Sequence, residues 1–192
     1  MRLATNLAII FVIGLLIGGL TAQFAIQRTF GVGAISAGVW SAWPFVGGAE
    51  VDPYTAARST VDGAIPLGAA EGLAFETLKD DQGNALLREC NYVLYGNTPA
   101  ARFWTLTAYD LSGNVIKSAD GTVAAVYSGT LVRAPDSSSR VTVSDQPGSG
   151  NWMRLEGKGT FKFVLRLYDT PITSSAGLSE PELLRLQKLE CV

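Results

Sequence analysis

The chain has 192 residues, 47% of them hydrophobic and 17% charged, with 15 basic against 17 acidic side chains and no histidine. That length suits one domain with a short addition, and two cysteines are too few for a disulfide-built miniprotein. Lack of histidine removes the commonest general base, the usual zinc ligand and the middle member of a catalytic triad, while a net charge of -2 argues against a nucleic-acid partner. No metal site or cofactor is expected.

Charge is unevenly placed, because Arg2 and Arg28 are the only charged side chains before Glu50. Leu7 to Ile26 carries no charge at all. Twenty helical residues rise about 30 Å, the thickness of a bilayer's hydrocarbon core. Residues 1–28 are therefore expected to be an uncleaved transmembrane anchor. A cleaved signal peptide is the competing reading, but Leu20-Thr21-Ala22 has the wrong first residue for a cleavage site, and a buried soluble helix would show a polar stripe. Charge flanking the segment gives a slight preference for a cytoplasmic amino end. Gly14 and Gly18 form a GxxxG pair on one helix face and are candidates for helix–helix packing, against the plain alternative that glycine is frequent in such helices.

Residues 29–50 form a Gly- and Trp-rich stretch, expected to be juxtamembrane. Its glycines and Pro44 disfavour a second span, and Trp40 and Trp43 are residues expected at the membrane interface. Gly31 and Gly33 do not make a dinucleotide loop, since no strand precedes them.

Residues 51–192 form the expected globular domain. Asp52-Pro53 reads as a helix start for Tyr54 to Val61. The period then changes to two: Leu73 to Leu78 and Leu86 to Tyr95 read as a hairpin about a turn at Asp80 to Asn84. Further short strands follow at Arg102 to Tyr109, Val115 to Lys117, Val123 to Tyr127, Thr130 to Arg133, Arg140 to Ser144 and Thr160 to Tyr168, with a turn at Asp110 to Asn114. In the last strand Phe161, Phe163, Leu165 and Leu167 share one face and Lys162, Val164, Arg166 and Tyr168 the other. Ser179 and Glu182 read as a capping box for a helix over Glu180 to Lys188. No internal repeat is visible. The fold class is all-β: an antiparallel, jelly-roll-like β-sandwich with one N-terminal transmembrane helix and short peripheral helices.

The stretches RFWTLTAYDLSGNVI, SGTLVR, NWMRL and FKFVLRLYDTP, in this order and spacing, resemble the bacterial domain-of-unknown-function family 1214, and DPYTAARST and PLGAAEGLAFETLKDDQGNALL resemble its upstream half. The resemblance covers most of residues 50–172. It implies an envelope-associated β-sandwich of the short, singly anchored alphaproteobacterial type, without room for the second unknown domain, 1254, found in longer relatives. It implies no reaction.

Cys90 and Cys191 are expected to pair, given an extracytoplasmic domain, the alternative being two buried free thiols. Arg102, Trp104, Tyr109, Trp152, Arg154 and Arg166 are candidates for an aromatic and basic groove that would take a sugar or an acidic group. The alternative is that the aromatics are core and the arginines ordinary cross-strand partners. Asp80, Asp81, Asp110 and Asp120 lack calcium-loop spacing and sit where turns favour aspartate. The expected protein is a single-pass bacterial inner-membrane chain with a periplasmic C-terminal domain. It acts as a non-catalytic binding or assembly module of the cell envelope, or as an accessory subunit of a membrane complex. Its partners are the lipid bilayer and an envelope protein, a second copy or an envelope glycan, with no nucleic acid. The alternative is a carboxylate-dependent enzyme acting on envelope carbohydrate.

Overall fold

The computed structural model describes residues 2–27, 34–48, 51–61, 67–68, 71–173 and 181–191. Helix α1, Arg2–Gln27, contains a 23-residue stretch, Arg2–Phe24, long and apolar enough to cross a membrane, none of it buried in the rest of the chain. The Thr21 hydroxyl is satisfied within the helix, since Oγ1 donates to the Ile17 and Gly18 carbonyls at 2.9 and 3.0 Å. That arrangement removes the cost of an unpaired donor in hydrocarbon. Among the described elements α1 touches only helix α2, Pro53–Val61. The Asp52 carboxylate caps α2 by accepting from the Thr55 N–H at 3.1 Å, with Pro53 at the first helical position.

The body is two packed sheets. The larger holds β1 (Ile35–Ala37), β2 (Trp40–Ala42), β3 (Gly72–Thr77), β5 (Phe103–Asp110), β6 (Ala125–Tyr127) and β9 (Phe161–Tyr168), ordered β1-β2-β3-β9-β5-β6. The smaller holds β4 (Cys90–Gly96), β7 (Ser139–Ser144), β8 (Asn151–Arg154) and β10 (Arg185–Cys191), ordered β10-β4-β7-β8. Every pairing is antiparallel except β7 with β8. Strand β9 is central because its phenylalanine and leucine face can be covered from both sides: β3 and β5 flank it, and Phe75, Leu165 and Leu106 lie in one register row. These side chains meet Tyr92, Leu94, Val141, Val143 and Met153 of the smaller sheet in one core.

Six expectations change. The Trp-rich stretch is not a bare juxtamembrane linker, because β1 and β2 form a hairpin that extends the larger sheet through β3. Trp40 accordingly is not at a membrane interface: it is 1% exposed, and its indole N–H donates to the Leu184 carbonyl at 2.7 Å. The hairpin about Asp80 to Asn84 closes locally, Lys79 opposite Ala85, but β3 and β4 then part into different sheets because β9 and β2 occupy both edges of β3. The segment expected as helix over Glu180 to Lys188 is strand β10, paired to β4. Ser179 and Glu180 fall outside the described residues. Leu184 and Leu186 alternate into the core, and that tertiary burial outweighs the helical preference of LLRLQKL. Thr130 to Arg133 holds a turn and a single bridge, Arg133 to Ser139, and Val115 to Lys117 likewise makes isolated bridges.

One turn recurs. At Asp80–Asn84 and at Asp110–Asn114 the first residue's N–H donates to the last residue's carbonyl at 2.9 Å, and Gly83 and Gly113 take φ of 86° and 85°. This is a type I turn closed by a glycine bulge. The same backbone pattern closes Ser118 to Thr122 through Gly121.

Candidate functional site

The expected groove divides into four places. Trp104 points into the core at 1% exposed, and its indole nitrogen is buried without an acceptor. It cannot stack on a ligand. Trp152 and Arg154 lie on the smaller sheet, where the Trp152 indole N–H donates to Ser144 Oγ at 3.1 Å and Arg154 is held by Asp120 at 3.0 Å and Glu156 at 2.6 Å. Glu156 also accepts from the Ala119 N–H, so this cluster pins the turn at residues 118–122. Arg102 is exposed and stands 3.9 Å from Asp169.

Tyr109 and Arg166 do come together. Odd positions of β5 and even positions of β9 face away from the core, so Thr105, Thr107, Tyr109, Lys162, Val164 and Arg166 share the outer face of the larger sheet. The Arg166 guanidinium donates to the Tyr109 hydroxyl at 2.8 Å and lies 5.2 Å from the centre of that ring. The two side chains reach toward each other along the sheet, over the row that pairs Val164 with Thr107, which are buried despite facing outward. Beside them Lys162 pairs with Glu76 at 3.0 Å, both largely buried. Among the described residues no carboxylate pairs with Arg166. Its position is set by the ring and hydroxyl of Tyr109 on a half-covered face. Phe103 lies 6.0 Å from Tyr127 and 5.9 Å from Tyr168, an aromatic group at one end of the same face. Glu76, Lys162, Phe103 and Tyr127 were not singled out from sequence; the polar positions of FKFVLRLY carried the signal for Lys162.

The aspartates serve the turns. Asp80 is fully buried, and its carboxylate accepts from the Gln82 and Asn84 N–H groups at 3.0 and 2.8 Å and from Asn84 Nδ2 at 3.1 Å. Asp110 accepts equivalently from Ser112 and from both donors of Asn114. The Asn114 side chain first, then its backbone N–H, holds the Asp110 carboxyl below its ordinary value. Asp120 is lowered chiefly by the Thr122 backbone N–H. Among the described residues no cluster of three or more acidic or cysteine side chains could hold a metal ion.

Cys90 and Cys191 are bonded, joining the first residue of β4 to the last of β10. At the other edge of the β10 pairing, a cleft of about 760 Å³ opens between the β1–β2 turn and the ends of β4 and β10, lined in part by Tyr95, Asn97, Glu182 and Arg185.

An apolar helix of membrane-span length followed by a disulfide-closed, two-sheet β domain defines the class of protein. A family model described as "Protein of unknown function (DUF1214)" matches residues 71–172. The chain belongs to that family. Among solved structures it is similar to the VPA0106 protein from Vibrio parahaemolyticus, with a TM-score of 0.58 and 19% identity over 73% of this chain and 36% of that one. An uncharacterised protein from Burkholderia cenocepacia gives a TM-score of 0.45 and 14% identity over 88% of this chain and 40% of that one. The first likeness shows the fold. This chain thus spans well under half the length of either structure. No curated protein matches it.

Proposed function

We propose that this chain is a non-catalytic binding or assembly module of the bacterial envelope, held by α1 in the inner membrane with its β domain in the periplasm, and that it takes an acidic group of another envelope protein at Arg166. The observation that carries this reading is the arginine itself: it is fixed against Tyr109 on an outward sheet face and has no carboxylate partner among the described residues. A guanidinium in that state offers a carboxylate two parallel donors, with part of the ordering already done. The disulfide supports an oxidising compartment, and α1 supports an anchor. The carboxylate-enzyme reading has less to stand on, since Asp80 and Asp110 are engaged by their own turns and Asp120 by its turn and Arg154.

The test is purification of full-length wild-type and Arg166→Gln chains from membranes in mild detergent, with mass spectrometry of what accompanies each. Losing one partner of a buried charged pair costs about 2 kcal/mol or more, roughly 30-fold in affinity. A stoichiometric partner should therefore accompany the wild type and be lost from the variant, while the disulfide and the strand signal in circular dichroism persist. A partner retained by Arg166→Gln would place the contact elsewhere.

A further inference from the structure

The antiparallel register of the larger sheet sorts its ends. Ile35 of β1 lies opposite Ala42 of β2, Ala42 opposite Phe75 of β3, Gly72 opposite Tyr168 of β9, and Tyr168 opposite Phe103 of β5. Strand β6 ends at Tyr127, pointing the same way. One end of the sheet therefore gathers the start of β1, the turn at Trp43 to Gly48 that follows β2, Phe103, Tyr168 and Tyr127. The exposed aromatic side chains described in the sandwich are Phe45, Phe103 and Tyr127, and all three lie at this end. At the opposite end stand the turns of Asp80, Asp81 and Asp110, and the exposed apolar side chains there, Leu78 and Leu111, are aliphatic.

Helix α1 is joined to the aromatic end. Eight residue steps separate Gln27 from Ile35, so the start of β1 lies within about 30 Å of the end of the helix even at full extension. A tyrosine ring, apolar on its body and polar at its tip, settles at the headgroup level of a bilayer, and exposed phenylalanine rings bury favourably at the boundary between headgroups and acyl chains. The chain thus has its tether and its exposed rings at one end, where Glu71, Asp169 and Arg102 are also exposed, and the Asp80 and Asp110 turns at the other.

We infer that the aromatic end of the larger sheet rests on the headgroup layer of the membrane that α1 spans, with Phe45, Phe103 and Tyr127 in contact with lipid and the Asp80 and Asp110 turns directed away. This rests on the anchored reading of α1. It places the Arg166–Tyr109 pair along the outer face between the two ends, with Arg166 on the rim side and Tyr109 next to the far Asp110 turn.

The experiment uses the full chain in nanodiscs of phosphatidylethanolamine and phosphatidylglycerol, carrying the photo-crosslinker p-benzoyl-phenylalanine at position 45, 103 or 127, or at 111 as the far-end control. Adducts are identified by mass, the disulfide reports folding, and resistance of α1 to alkaline extraction reports insertion. Lipid adducts several-fold more abundant at 45, 103 and 127 than at 111 are expected. Equal labelling at 111, or unlabelled rim positions with α1 inserted, would overturn the inference and leave the anchor standing. Extraction of the chain at alkaline pH would overturn both. In native membrane vesicles, adducts from the rim to a protein in place of lipid would assign that surface to a partner and overturn it as well.

Discussion

Breaking the Cys90–Cys191 bond is the perturbation whose size follows most directly from the fold. The crosslink spans 101 positions and fastens β10, which is otherwise held by pairing to β4, by burial of Leu184 and Leu186, by the Trp40 indole on the Leu184 carbonyl and by the Asp81 N–H on the Leu186 carbonyl. Loop-closure entropy for a ring of about 100 residues amounts to about 4.7 kcal/mol at 25 °C, an upper figure for what reduction removes. Two buried leucines contribute about 1.5–3 kcal/mol each, so β10 should stay in place after reduction. Cys191→Ser is the suitable change, because Cys191 is exposed and its serine adds no buried polar group, whereas Cys90 is buried. With a urea slope of about 2 kcal/mol/M, the midpoint should fall by up to about 2 M, and by at least about 1 M if strain or residual unfolded structure halves the effect. Tryptophan fluorescence of the full chain in nanodiscs follows the transition, and hydrogen exchange at the Asp81 amide reports whether β10 remains docked. A midpoint unchanged within error would refute the crosslink as a constraint on the unfolded chain. Loss of Asp81 protection without denaturant would refute the view that the leucines and Trp40 hold the strand.

Gly72→Ala should cost at least about 2 kcal/mol in the same urea titration, because an added Cβ would fall on the Leu167 carbonyl oxygen where β3 meets β9; wild-type stability would mean that the two strands are not so closely paired. Asp80→Ala should cost about 2–3 kcal/mol and Asp110→Ala clearly less, since both lose the same turn hydrogen bonds but only Asp80 is fully buried. Equal losses would contradict burial as the difference. Asp110, Asp120 and Asp136 all have carboxyls held below their ordinary value, by hydrogen bonds led by Asn114, Thr122 and Ser138 respectively. Such groups bind fewer protons folded than unfolded, so their contribution is present at neutral pH and is lost as pH falls below about 4. Urea midpoints between pH 3 and 6 should show that decline, and Asp110→Asn should make it shallower; a midpoint that rises on acidification would reverse the assigned sign.

Sequence patterning carried the elements that depend on local rules. The α2 cap follows from Asp52-Pro53, and the two faces of β9 follow from strict alternation in FKFVLRLY. The recurring turn was also present in the sequence, as DDQGN and DLSGN, although no repeat was read there. What could not be read was non-local. Residues 183–189 have apolar spacing compatible with a helix, and only the β4 edge and the Cys90 crosslink make them a strand. Trp40 has the composition of a membrane-interface residue, but its indole is claimed by a carbonyl 144 positions away. The candidate site was legible in part for the same reason: alternation can place Tyr109 and Arg166 outward and Trp104 inward, yet only the β5–β9 register brings the first two together, and only the β7–β8 pairing takes Trp152 and Arg154 to the other sheet.

An uncleaved anchor carrying a domain outside the cytoplasm is tested by the intact mass of the chain purified from membranes without reductant. The expected mass retains residues 2–27 and is short of the fully reduced chain by two hydrogens. A mass lacking the α1 residues would make that segment a leader, and a mass with both thiols intact would contradict the oxidising compartment.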